Sequence, residues 1–240
     1  MPSDRPHSRL CDISTRWSLV FQAHAESDDR SNDAQVLLME RYFGAVYRYL
    51  LSILQNETEA DDLAQEFALR FLQGDFHRAE PSRGRFRDYV KTSLHNMLKD
   101  HFRSRNRNPC IAEPTSEICD PNFVYPENEF QARWRDELLE WTWQGLRELE
   151  SEGRTPYYTA LRWRAERPDA TAAQLATDLS SQRGVAYSEA NVRQILRRAR
   201  ERFAELLRAE VARSIESQSH EQLEEELAKL NLLQYCRRNS

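Results

Sequence analysis

Five basic or titratable side chains recur at every fourth position in SRGRFRDYVKTSLHNMLKDHFRSRNR, residues 82–107: Arg87, Lys91, His95, Lys99 and Arg103. On a helix that spacing carries them slowly around one side. A row of cations does not break bonds; it neutralises a negatively charged partner such as a phosphate backbone. Phe86, Val90, Leu94 and Met97 alternate with them at spacings of three and four, which is the signature of a second, core-facing side. The same stretch therefore asks for a core on one side and a polyanion on the other.

A second set lies further along. ATAAQLATDL reads as a short helix, SSQRGVAY as a turn, and SEANVRQILRRARERFAELLRAEVARSI as a long helix with a basic N-terminal half and Ser188 as its N-cap. That is a helix-turn-helix pattern, whose second helix would present its first residues to a DNA major groove. Enzyme chemistry finds no support. There is no Gly-rich phosphate loop, no His-x-x-x-His pair and no Ser-His-Asp set, and the six histidines share no ligand spacing. Cys11, Cys110, Cys119 and Cys236 form no Cys-x-x-Cys pair and read as reduced thiols. No metal and no cofactor is expected, and the chain is not expected to be an enzyme.

The net charge of −5 conceals a segregation. Residues 26–66 balance to −7, 70–108 to +6, 113–152 to −8 and 183–208 to +4. Two basic blocks separated by an acidic one suit a polyanion gripped at two places. The longest run free of Asp, Glu, Lys and Arg is nine residues, Trp17 to Ala25, whereas a membrane span needs about 20. No signal-peptide pattern opens the chain. A cytoplasmic location without membrane insertion is expected.

The elements that must hold these sets in place are helical, since the chain has only six glycines and nine prolines and its long stretches repeat at three and four. TRWSLVFQAHAESDD predicts a short amphipathic helix with Trp17, Val20, Phe21 and His24 on one face. SNDAQVLLMERYFGAVYRYLLSIL predicts a longer one with a broad apolar face, from Val36 and Leu37 to Leu50 and Leu54. A third begins near NETEADDLAQEFALRFLQ, capped by Asn56 or Thr58, with Glu59, Asp61 and Asp62 in its first turns and Leu63, Phe67, Leu69 and Phe71 as its apolar side. From Asn106 to about Glu127, four prolines and little periodicity mark a linker. FQARWRDELLEWTWQGLRELE and TPYYTALRWRAERP are two more helices. The tail after Ser214 is acidic, with Leu223, Leu227 and Leu230 at helical spacing. It could complete a helical bundle by packing, or cover a basic surface and regulate access to it.

TEADDLAQEFALRFL followed by RGRFRDYVKTSLHNMLKDHFR resembles the second conserved region of extracytoplasmic-function (ECF) sigma factors, of the sigma-70 family. ANVRQILRRARERFAELLRAEV resembles their fourth. The opening TRWSLVFQA and the acidic ending are similar to a long subgroup with extra tails. The resemblance implies an all-α chain of two small helical domains joined by the Pro-containing linker. The implied parts are an N-terminal extension over 1–30, region two over 31–106, the linker over 107–127, region four over 128–213 and an acidic extension over 214–240.

The same resemblance implies roles. Glu59, Asp61, Asp62, Leu63, Gln65 and Glu66 would dock on the β′ clamp helices of core RNA polymerase, with the β flap as a further contact of the family. Asp75, Phe76 and His77 in a loop, with Arg83, Arg85, Arg87, Lys91, His95, Asn96, Lys99 and Arg103, would hold the −10 element as single-stranded DNA, where an extruded base needs both a pocket and charge. Ser188, Asn191, Arg193, Gln194, Arg197, Arg198 and Arg200 would meet the −35 element in the major groove. The chain departs from the family at SSQRGVAYSEAN, a turn about four residues longer than usual. An anti-sigma factor, a regulatory kinase and the chain's own tails stand as alternative modes of control. The competing reading is a stand-alone helix-turn-helix regulator whose N-terminal half dimerises. The acidic-then-basic helix pair speaks against it, because a dimer interface alone needs no stripe of charge.

Overall fold

Helix α1 (Asp29–Leu54) buries Tyr42, Ala45, Val46, Tyr49, Leu50 and Ile53, the stripe that three-and-four spacing produces. The computed structural model of the chain describes residues 29–73, 86–107, 128–153, 155–215 and 219–236. Residues 15–28 of the expected N-terminal helix, the loop over 74–85 and residues 108–127 of the expected linker lie outside the described residues; Asn106 and Arg107, expected at the start of the linker, instead end the helix Phe86–Arg107. At the end of α1, Gln55 takes a left-handed conformation (φ 51°). Asn56 then starts α2 (Glu57–Leu72), its side chain accepting the N–H groups of Thr58 at 3.0 Å and Glu59 at 3.2 Å. The cap expected from the sequence is therefore Asn56.

Helix α2 packs against α1 through Ala60, Leu63, Ala64, Phe67 and Phe71. Leu69 was expected on that side and is instead 57% exposed. Two residues along a helix turn the side chain by about 200°, so Leu69 cannot share a face with Phe67 and Phe71. Helix α3 (Phe86–Arg107) buries Phe86, Val90, Leu94, Met97, Leu98 and Phe102. It runs antiparallel to α2: the Phe71 and Phe86 rings meet at 6.4 Å at one end, and Glu59 meets Arg105 at the other.

Helix α4 (Glu129–Glu152) contributes to both compact units into which the described chain divides. Residues up to Glu137, with Ser214 and Ile215, belong to the first; Leu138–Arg213 and the described residues after 218 belong to the second. In the first unit Trp134 stacks on Tyr42 (4.7 Å, 9°) and Phe130 meets Tyr49 edge-on at 5.6 Å. Residues 128–137, expected with the region after the linker, thus pack on α1. Glu137 is buried and paired with Arg48, and a Cβ on Gly44 would overlap its carboxylate. Glycine at 44 is there for close approach.

In the second unit, α5 (Tyr157–Glu166), α6 (Ala172–Arg183) and α7 (Glu189–Arg213) close around Ala160, Trp163, Leu175, Ala176, Leu179, Val192 and Leu196. Thr171 and Gln174 form a reciprocal capping box at the start of α6. Ser180–Arg183 were expected in the turn, but they continue the helix, with Ser180 and Ser181 donating back to Ala176 and Thr177. Gly184 ends it at φ 65°, a left-handed cap that favours glycine. The first four residues of the expected turn are thus a last turn of α6, and residues 184–188 alone connect it to α7.

The chain after Ser219 forms α8 (His220–Lys229) and the single turn α9 (Leu233–Cys236), both against α7. Leu227, Leu230, Leu232 and Cys236 are buried there, and Arg208 donates to the Cys236 carbonyl at 3.0 Å. Of the two roles open to the tail, packing is the one its geometry displays. The other three cysteines lie outside the described residues. No helix among the described residues is long and apolar enough to cross a membrane.

Candidate nucleic-acid interface

The stripe on α3 does not stay on one side. A four-residue step overshoots a helical turn by about 40°, so the row climbs from the interior to the surface. Arg87 lies at the inner end, its side chain 11% exposed and 3.9 Å from Asp88. Lys91 is half-buried, and His95 sits against the Tyr49 ring at 6.1 Å. Asn96, Lys99 and Arg103 are exposed, Arg103 lying 3.4 Å from Asp100. The charge available to a partner is thus concentrated in the last turns of α3, where the helix dipole also favours cations. Asp75, Phe76, His77, Arg83 and Arg85 lie outside the described residues.

The acidic start of α2 separates into two groups. Asp61, Asp62 and Gln65 are exposed; Leu63 is buried in the α1–α2 contact, and Glu66 pairs with Arg70. Glu59 turns toward α3, within 3.0 Å of Arg105 and 3.1 Å of His101. Those two partners were missed from the sequence, since a tie across 46 residues leaves no periodic trace. Tyr47 of α1 also faces this corner. Its phenol is pushed above its ordinary range by partial desolvation first, then by the carboxylates of Asp61 and Glu57. An exposed double carboxylate suits a basic partner surface.

On α7 the division into faces is cleaner. Val192, Leu196, Ala199 and Phe203 are buried, while Asn191, Arg193, Gln194, Arg197, Arg198 and Arg200 are all exposed. Ser188 caps the helix, accepting the Asn191 N–H at 3.2 Å. Arg193 pairs with Glu189 one turn back. Behind this face Asp178 of α6 accepts the Trp163 indole N–H at 2.8 Å. Glu150 of α4 accepts from the Thr159 backbone at 2.8 Å and hydroxyl at 2.6 Å, and from Arg183. The polar face therefore stands on a cross-tied base. Among the described residues no group of His, Cys, Asp and Glu side chains is placed to hold a metal ion.

Residues 38–108 match the family model of sigma-70 region 2. The matched stretch takes in the C-terminal part of α1 and the whole of α2 and α3, and so includes both the exposed carboxylates and the exposed cations described above. No curated protein and no solved structure matches the chain. The segment that carries the acidic and basic surfaces is thus the part of the chain that is similar to sigma-70 region 2.

Proposed function

We infer that this chain is a sigma factor of the ECF type: it recruits core RNA polymerase and directs it to promoters with −10 and −35 elements, with no catalytic step of its own. The observation that carries this reading is the region 2 match over an antiparallel helix pair with exposed carboxylates at one helix start and exposed cations on its partner. In this reading Asp61, Asp62, Gln65 and Glu66 face the β′ clamp helices. Lys99 and Arg103 take phosphates of the single-stranded −10 element, with Asn96 beside them. Asp75, Phe76, His77, Arg83 and Arg85 would complete the pocket for an extruded base.

The helix-turn-helix unit supplies the second grip. Asn191, Arg193 and Gln194 sit near the N-terminus of α7, where a major-groove helix reads base edges, while Arg197, Arg198 and Arg200 suit phosphates. The β flap is a further polymerase contact that the family resemblance implies. Control by an anti-sigma factor or a kinase belongs to the same reading, as does a cytoplasmic place of action.

The test is run-off transcription and pull-down with bacterial core polymerase, comparing the wild-type chain with an Asp61→Arg, Asp62→Arg variant. Binding and promoter-dependent transcripts from the wild type, lost in the variant, are expected. If the wild type does not bind core polymerase yet still binds specific duplex DNA, the stand-alone regulator takes its place. That alternative draws on the second unit having a hydrophobic core of its own beneath an exposed basic helix face.

A further inference from the structure

Glu59 stands in the same acidic run as Asp61 and Asp62, yet its carboxylate has a different environment. Nη1 of Arg105 lies 3.0 Å from both of its oxygens, and Nε2 of His101 lies 3.1 Å from Oε2. All three side chains are about three-quarters buried: 25% exposed for Glu59, 27% for Arg105 and 25% for His101. Asn56, which caps α2, holds the Glu59 N–H at 3.2 Å and reaches Oε1 at 3.4 Å. Asp61 and Asp62, by contrast, are exposed.

We propose that Glu59 is a positioning residue: it fastens the first turn of α2 to the last turns of α3, and so fixes the direction in which Asp61 and Asp62 are presented. The inference rests on the polymerase-docking reading and assigns Glu59 a part within it other than direct contact. The physical need is plain. The first turn of a helix has unsatisfied N–H groups and frays, and an exposed carboxylate pair on a fraying turn would have to be ordered when it binds. A carboxylate already engaged by a guanidinium and an imidazole removes that ordering cost beforehand. It also neutralises Arg105 in a helix end that already carries Lys99 and Arg103.

A double-mutant cycle on the full chain tests this, with affinity for core polymerase as the readout. Glu59→Gln and Arg105→Gln should each weaken binding roughly three- to tenfold, and the double variant should be no weaker than the worse single. The swap Glu59→Arg, Arg105→Glu should recover part of the loss, which a generic destabilisation would not do. Asp61→Asn should cost less on the Glu59→Gln and Arg105→Gln backgrounds than in the wild-type chain, because the tie acts through the carboxylate that it removes. If Arg105→Gln lowers the yield of folded protein, the milder His101→Gln takes its place in the cycle.

Equal loss from Glu59→Gln whether or not Arg105 is present would make Glu59 a direct contact and overturn the proposal. Unchanged affinity in both single variants would overturn it as well. A wild-type chain that does not bind polymerase would overturn the docking reading itself, and the inference with it; that failure is recognised before any variant is compared.

Discussion

The indole N–H of Trp163 in α5 donates to the Asp178 carboxylate in α6 at 2.8 Å, and Trp163 itself is 8% exposed. This bond ties α5 to α6 within the second unit. Asp178→Ala leaves a buried donor without its acceptor, which costs about 1–3 kcal/mol. Thermal unfolding should move down accordingly, and Trp163→Phe in the same background should recover part of the loss. If Asp178→Ala unfolds at the wild-type temperature, the bond does not stabilise the unit.

Gly44→Ala reverses an ordinary rule. In an open helix the change would stabilise by about 1 kcal/mol. Here the added methyl meets the buried Glu137 carboxylate, itself paired with Arg48, and overpacking of this kind costs about 1–3 kcal/mol. Urea denaturation should place the variant's midpoint below the wild type's. A higher midpoint would mean that Glu137 can step aside freely.

Leu227 in α8 is fully buried against the C-terminal half of α7. Leu227→Ala should destabilise the second unit by about 2–5 kcal/mol, and binding to duplex promoter DNA should weaken with it. A tail acting only as a cover would give the opposite sign: tighter DNA binding when its packing is loosened. Electrophoretic mobility shifts at a temperature just below the variant's melting point distinguish the two.

The salt dependence of promoter capture should report the exposed end of the α3 stripe. Each phosphate contact on single-stranded DNA adds about 0.7 to the slope of log affinity against log salt. Lys99→Gln and Arg103→Gln should each flatten that slope by roughly this amount in the polymerase complex. Arg87→Gln should leave the slope alone and lower stability instead, since that side chain is nearly buried. A slope insensitive to Lys99 and Arg103 would place the phosphates elsewhere.

Burial pushes the Cys236 thiol above its ordinary range; Arg208 opposes this and Glu224 adds to it. The folded state therefore holds its proton more tightly than the unfolded state does. Stability from this source is intact below the ordinary thiol range and is lost as pH rises through the folded-state value. In a chain whose other three cysteines are replaced by serine, alkylation at pH 8 should be slow until denaturant is added. Rapid modification of the native chain would show the α7–α9 contact to be open.

What could be read in the sequence was what repeats locally. The buried residues of α3, the Asn56 cap and the polar outer face of α7 all follow from spacings of three and four, which a helix turns directly into faces. The basic stripe was legible as a row but not as a gradient, because a 40° drift per step is small until it accumulates from Arg87 to Arg103. Leu69 failed for the opposite reason: hydrophobicity suggested burial where the helical phase forbade it. Residues 128–137 joining α1 and Glu59 joining Arg105 depend on partners dozens of positions away, and no local pattern encodes them. The SSQR stretch looked like a turn because serine and glycine favour turns, yet the two serine hydroxyls found acceptors one helical turn back.

The α2–α3 pair is held at both of its ends, by Phe71 on Phe86 and by Glu59 on Arg105. A hairpin gripped in this way does not depend on the span between its arms for its register. The entropy of closing such a span rises only with the logarithm of its length, about 0.6 kcal/mol for each doubling. Residues 74–85 can therefore be lengthened, shortened or rewritten over generations while the arms keep their places. Under the proposed reading of 74–85 as part of the −10 pocket, such rewriting would shift the target sequence while α2 kept its docking surface, and a grafted span offers the same freedom to an engineer.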